Sequence, residues 1–243
     1  MSWDNPASAW QIAQRHRERW PRGSFLAGLD PPVLRDFLDA GELTQFRTGD
    51  DLVREGDLAD DMFLLIDASV KVTARMDGGG TALLAIRLGG DVIGEIALVD
   101  GKGRTATVSA CGYPPVTAVR VGHDEFHGLL NRHPTAGVSI ASAIGRKLRS
   151  AIRRHVDSTC CAPKVRLARV LLELAEDYGY PGPRGILIGV NLTRIELGTL
   201  VGVRETTAQR ALRELKRDGL VMDCGRRLLV PGLATLRAAA STA

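Results

Sequence analysis

The sequence predicts an α+β protein of two domains: an N-terminal antiparallel β-roll, one long helix, and a C-terminal helical domain closed by a β-hairpin. Three observations predict it. Short apolar runs alternate with turn signals from residue 25 to about residue 121. From residue 134 to about 157 the chain carries a helical period with no interior proline. Beyond residue 192, two helical segments flank Gly202 and are followed by two short apolar runs around Gly225.

The bulk numbers fit that class. With 243 residues, 44% hydrophobic and 25% charged, the chain has the composition of a soluble globular protein with sizeable cores. No stretch approaches the roughly 20 apolar residues of a membrane helix. The start, MSWDNPASAW, lacks the basic-then-apolar layout of a secretory signal. A cytoplasmic location with no membrane partner is expected. Cys111, Cys160, Cys161 and Cys224 lie apart except for one adjacent pair, which suits free thiols rather than a disulfide framework or a metal knuckle. Charge is divided unevenly: residues 1–133 hold 14 Lys and Arg against 19 Asp and Glu, a net −5, whereas residues 134–243 hold 18 against 9, a net +9. The positive half is the candidate for nucleic acid.

Taken in order, residues 1–20 form an N-terminal extension with Trp3, Trp10, Trp20 and the run Arg15-His16-Arg17-Glu18-Arg19 before Pro21. A helix whose tryptophans pack on the body of the protein is expected, with a membrane or partner contact as the alternative. Residues 21–133 hold the roll. Turn signals at Gly49-Asp50-Asp51, Glu55-Gly56-Asp57, Gly78-Gly79-Gly80, Gly89-Gly90-Asp91, Gly101-Lys102-Gly103 and Pro114-Pro115 punctuate it. Between them lie runs of strand length at 62–66, 70–73, 83–88 and 105–110. Short strands so spaced suggest an antiparallel barrel or roll.

Residues 134–162 read as the long helix and a hinge. Ala141, Ile144, Leu148, Ala151 and His155 follow a 3-4-3-4 spacing with Ile152 and Val156 beside them, while Arg146, Lys147, Arg149, Arg153 and Arg154 fall mainly elsewhere. So narrow a stripe suits pairing with a second copy along Ala141, Ile144, Leu148, Ala151 and Ile152. The alternative is a helix that covers its own domain's core. Pro163 cannot extend that helix and is placed to start the next one.

Residues 163–243 form the second domain. An amphipathic helix at 165–178, a break at 179–185 and a short strand at 186–190 lead into a helical pair. Thr193 followed by Glu196 has capping-box spacing, so the first helix is expected at 194–200. Gly202 supplies a turn. The second helix, from about 204 to 218, buries Ala208, Ala211, Leu212 and Leu215 and presents Arg204, Thr206, Gln209, Arg210, Arg213, Lys216 and Arg217. Residues 220–222, a turn near Asp223-Cys224-Gly225 and residues 226–230 make a hairpin with arginines near its tip. The order is that of a winged helix-turn-helix, whose second helix enters the major groove, where Arg grips guanine and Gln grips adenine. Double-stranded DNA is the expected partner. The alternative is a surface helical hairpin with solvated charges.

At these residues, LTRIELGTLVGVRETTAQRALRELKRDGLV, the chain resembles the DNA-binding end of the Crp/Fnr family of bacterial transcription regulators. The resemblance implies that Arg194, Arg210 and the start of the second helix, including Arg204, Glu205 and Thr206, face DNA, with Thr193 and Thr207 near phosphates. Arg226 is expected as a phosphate contact on the wing. The chain departs from the family in one respect. Where Ser-Arg-Glu-Thr commonly follows the turn, Arg204-Glu205-Thr206-Thr207 stands here, which sets the Arg-Glu pair back by one position, about 100° around a helix. The family's usual base contacts therefore do not carry over.

Two further motifs extend the resemblance over about residues 25–236. Leu52-Val53-Arg54-Glu55-Gly56-Asp57-Leu58-Ala59 followed by residues 62–65 is similar to the β-roll signature of cyclic-nucleotide-binding domains, with Ala68 where a glycine is usual. Gly94-Glu95-Ile96-Ala97-Leu98, then Arg104-Thr105-Ala106, resembles the family's phosphate-binding cassette. In that reading backbone N–H groups of Glu95, Ile96 and Ala97 and the Thr105 hydroxyl line a phosphate, Arg104 supplies charge, Glu95 accepts from a ribose hydroxyl, and Gly94 lets the backbone come close. The resemblance implies a homodimer on a palindromic operator, RNA polymerase as a further partner, and cyclic AMP or another cyclic nucleotide as effector, with no required cofactor. The alternative is a regulator that takes no cyclic nucleotide, constitutive or sensing another ligand, in which Glu95 and Arg104 pair with each other in an empty roll. It draws on Ala151 and Ile152, which stand where the family's nucleotide binders offer Thr-Ser to the base; apolar groups cannot read a base edge. A third reading, a nucleotide-binding regulatory subunit of an enzyme, is opposed by the wing and second helix. His123 and His127 lack a third ligand, no iron-sulfur cysteine cluster is present near the N-terminus, and no nucleophile-base arrangement is found, so neither a metal nor an enzyme is expected.

Overall fold

The computed structural model describes residues 8–21, 23–58, 60–111 and 116–241; Trp3, Ala59 and the Pro114-Pro115 turn signal lie outside the described residues. The chain forms two compact units, one within residues 1–74 and 86–147, the other within 75–85 and 148–243. Their division falls inside the long helix, between Lys147 and Leu148.

The first unit begins with α1 (Ala9–His16), where Ser8 and Gln11 close a capping box. Ala13 and Trp20 are buried, and Trp20 Nε1 donates to the Ile66 carbonyl at 2.9 Å. Trp10 packs against the same core, with the Arg35 guanidinium 6.0 Å from its ring centroid. Both described tryptophans of the extension thus pack on the body of their own unit. Next, α2 (Pro31–Asp39) starts on two prolines, tolerated because their missing N–H groups have no partner in a first turn. It buries Leu34, Phe37 and Leu38.

The strands follow: β1 (Glu42–Phe46), β2 (Asp51–Val53), β3 (Asp61–Asp67), β4 (Ser69–Arg75), β5 (Thr81–Leu88) and β6 (Val92–Ile93), a short helix α3 (Glu95–Asp100), then β7 (Thr107–Ala110) and β8 (Val116–Gly122). They form two four-stranded sheets, in the orders β1-β8-β3-β6 and β2-β7-β4-β5. Thr105 falls before β7 instead of within it. Strand β3 explains its own apolar run, MFLLI. Met62, Leu64 and Ile66 enter a core shared with the helices, while Phe63 and Leu65 enter a second core with Val70, Val108 and Ala118 from both sheets. A strand buried on both faces has no reason to alternate. No described non-glycine residue has positive φ, so Ala68 joins β3 to β4 without the strain a left-handed alanine would carry.

Helix α4 (His123–Arg132) is followed by α5 (Pro134–Cys160), 27 residues long. Ala136, Ile140 and Ala143 fall on one stripe and enter the roll's core. Ile144, about 40° from Ile140 around the helix, is half-buried against that core, so part of its side chain is taken up within its own chain. Ala141, Leu148, Ala151 and Ile152 are exposed, together with Val138 and Val156.

The second unit continues with α6 (Pro163–Tyr178), β9 (Gly179–Gly182), β10 (Gly185–Ile188), α7 (Arg194–Leu200), α8 (Glu205–Arg217), β11 (Met222–Cys224), β12 (Arg227–Val230) and α9 (Leu233–Ser241). Its sheet has the order β11-β12-β10-β9. The segment read as a break at 179–185 is therefore a hairpin. Pro181 fits because β9 is an edge strand, where a missing N–H costs no ladder bond. Helices α8 and α9 pack on α6, with Leu167, Leu171, Leu215 and Leu236 fully buried. At the start of α7, Thr193 accepts from the Glu196 N–H at 3.2 Å while Glu196 accepts from the Thr193 N–H at 2.8 Å. Thr193→Ala frees one of these donors and is expected to lower the urea midpoint of this unit, by roughly 1 kcal/mol in stability.

Candidate functional site

Helices α7 and α8 meet through Gly202, whose φ of +69° is the left-handed turn that only glycine adopts freely. Buried Ala208, Ala211, Leu212 and Leu215 fix the inner face of α8. Its other face presents Arg210 and Arg213, with Glu205 and Thr206 exposed in the first turn and Thr207 half-buried. Arg204 precedes the helix as its N-cap instead of forming its first turn, and its carbonyl accepts from Thr207 and Ala208. Thr193 and Arg194 are exposed at the start of α7, and Arg226 is exposed in the two-residue turn between β11 and β12. The side chains of Arg194, Arg204, Arg210, Arg213 and Arg226 form no ion pair among the described residues. Gln209 differs: its amide donates one hydrogen to Glu205 Oε1 at 2.7 Å, which orients the side chain and leaves its second N–H and its carbonyl oxygen for a base. Lys216 braces the wing instead, donating to both carboxylate oxygens of Asp223 at 2.6 and 2.7 Å.

The cassette lies in the first unit. Gly94, at φ +84°, caps α3 in the left-handed conformation that favours glycine, with the Arg104 guanidinium packed against it. Glu95, Ile96 and Ala97 form the first turn of α3. Glu95 and Arg104 are both buried, yet they do not pair with each other. The Glu95 carboxylate accepts from Lys147 of α5 at 2.9 Å, and Lys147 also donates to the Val92 carbonyl at 2.5 Å. Arg104 instead ion-pairs with Asp61 of β3 and donates to the main-chain oxygens of Asp61 at 2.7 Å and Gly94 at 3.0 Å. Asp61 also takes the Arg120 guanidinium, whose pKa it raises. Of these, Lys147, Asp61 and Arg120 were not singled out as site residues from sequence. Lys147 carries a signal, since it continues the inner stripe Ala136, Ile140, Ala143 at helical spacing.

Comparison with known proteins settles the class. The cyclic nucleotide-binding domain family matches residues 43–133, and the Crp-like helix-turn-helix domain family matches residues 165–239. The chain belongs to the Crp/Fnr family. A CRP-like cAMP-activated global transcriptional regulator of Mycobacterium tuberculosis is 25% identical over 209 residues, 86% of this chain and 92% of that protein. The cAMP-activated global transcriptional regulator CRP of Pasteurella multocida is 26% identical over 203 residues, 83% of this chain and 95% of that protein. A solved structure of the c-di-GMP-responsive global regulator CLP of Xanthomonas campestris shares the fold, with a TM-score of 0.71 at 22% identity, covering 84% of this chain and all of that one. These relatives are transcription regulators, not enzymes. Among the described residues, no helix of this Crp/Fnr-family chain is long and apolar enough to cross a membrane.

Proposed function

We propose that this DNA-binding regulator works as a homodimer paired along α5, that its roll takes a cyclic nucleotide such as cyclic AMP as effector, and that RNA polymerase is a further partner. The observation that carries the reading is Lys147. It lies on the inner face of α5 and holds Glu95 of α3, so the proposed ligand turn and the proposed dimer helix share one ion pair. Backbone N–H groups of Ile96 and Ala97, the Thr105 hydroxyl and Arg104 would hold a phosphate, and Glu95 would accept from a ribose hydroxyl. A ligand that binds one setting of the Glu95-Lys147 pair better than another shifts α5 between packings by differential affinity alone. The second reading, a regulator without a cyclic nucleotide, is favoured by Ala151 and Ile152, two exposed apolar residues that offer a base no hydrogen bond.

Selection from random duplexes with and without cyclic AMP or cyclic GMP, paired with calorimetric titration of each nucleotide, tests both readings. An approximately palindromic site with half-sites about 34 to 36 Å apart is expected. Arg210→Ala should cost roughly 1 to 3 kcal/mol per half-site and relax preference at one base pair. Arg226→Ala should weaken all sequences alike and flatten the salt dependence. No enriched duplex under any condition, with Arg210→Ala binding as well as the parent, would refute the DNA assignment. No heat with either nucleotide at millimolar concentration would favour the second reading.

A further inference from the structure

A cassette built to take an anion is expected to leave its arginine uncommitted, and here it is committed. The Arg104 side chain is only 5% exposed, and its hydrogen bonds go to the Asp61 carboxylate, the Asp61 carbonyl and the Gly94 carbonyl. A guanidinium that deep requires a counter-charge. The chain supplies one from the first residue of β3, whose side chain is itself 12% exposed. The same carboxylate reaches Arg120, a neighbour diagonally across the β3/β8 ladder, where Asp61 stands opposite Gly122 and Phe63 opposite Arg120. Arg120 is half-exposed and tightened onto Asp61, which raises its pKa. With Lys147 on Glu95, the acids and bases named around the cassette are already matched.

We infer that Asp61 is an intramolecular stand-in for the ligand's phosphate: it holds Arg104 in the free protein and must yield it, while keeping Arg120, when an anion binds. Binding is then an exchange of one anion for another at Arg104. Affinity is set as much by how readily Asp61 swings toward Arg120 as by contacts to the ligand. The inference rests on the proposed nucleotide site only for the ligand's identity; the chemistry it requires is a phosphate mono- or diester anion.

The test uses the full chain with Asp61→Asn, Asp61→Ser and Asp61→Asn/Arg104→Ala. Each is titrated calorimetrically with cyclic AMP and cyclic GMP, and each is melted in inorganic phosphate against sodium chloride of equal ionic strength. Removing the internal anion should tighten nucleotide binding by roughly tenfold or more. It should also make the melting temperature of Asp61→Asn rise with phosphate where the parent's does not, and the double variant should lose both gains. A single variant that folds only when phosphate or nucleotide is present counts for the inference; one that neither restores counts against it. Phosphate stabilisation confined to the single variants, with no nucleotide bound by any chain, would remove the cyclic-nucleotide reading and leave the role of Asp61 standing. Folded single variants that gain nothing over the parent with nucleotide or phosphate would overturn it.

Discussion

Leu148→Glu is expected to turn a dimer into a monomer in sedimentation and to weaken binding to a palindromic duplex by roughly 10²- to 10⁴-fold, the loss that follows when two sites cease to be tethered. Leu148 is 58% exposed and Ile152 53%, on a face they share with exposed Ala141, Ala151 and Val156, so this apolar stripe is left uncovered within the chain. A two-fold seam along this face brings each residue close to its own copy. Glutamate at 148 would then place two like charges in an apolar contact, unpaired and stripped of water. In the separated chain the same carboxylate lies in solvent, so the melting of the monomer should change little. An unchanged dimer mass would exclude this face of α5 as the interface.

Lys147→Met is expected to cost the first unit roughly 3 to 5 kcal/mol, because it leaves a buried carboxylate without its cation. Glu95 is 3% exposed and Lys147 donates to it at 2.9 Å, with the nearest other acid, Asp91, at 4.0 Å from the ammonium. The double replacement Glu95→Gln/Lys147→Met should recover most of that loss, since a neutral amide is far cheaper to bury than an unpaired charge. Urea titration followed by tryptophan fluorescence reads the stability of this unit, since all three tryptophans of the chain lie within residues 1–20. A single-variant loss under about 1 kcal/mol, or a double variant no better than the single, would mean that the pair is solvated and holds nothing.

Local chemistry was legible wherever it repeats or caps. The Thr193/Glu196 box, Gly202 and the apolar face of α8 follow from spacing because each depends on residues within a few positions of one another. The strand runs of the roll were legible for the same reason. What stayed hidden was set by distant partners. Ile144 shares the 3-4 spacing of the outer seam, yet it also packs in part against the core that Ile140 and Ala143 enter. Asp61 looks like any acid before a strand until Arg104, distant in sequence, is folded against it. Strand β10 was read from its apolar run, but its partner β9 was not, because Gly179, Pro181 and Gly182 carry weak strand propensity and only pairing with β10 decides them; helix α9 was overlooked although its alanines favour a helix. Gln209 is suited to base reading, but the acid one turn earlier on α8 that takes one of its amide hydrogens was not foreseen.

The indole of Trp20 has a history as well as a position. Its acceptor, the carbonyl of Ile66, lies 46 residues further along the chain, and Leu26 donates to Gly90, later still. Chains are made from the N-terminus at about 5 to 20 residues each second. For some seconds after it leaves the ribosome, a large apolar ring therefore waits in water for a strand that has yet to follow it out. The extension reaches its docking place late although it is synthesised first.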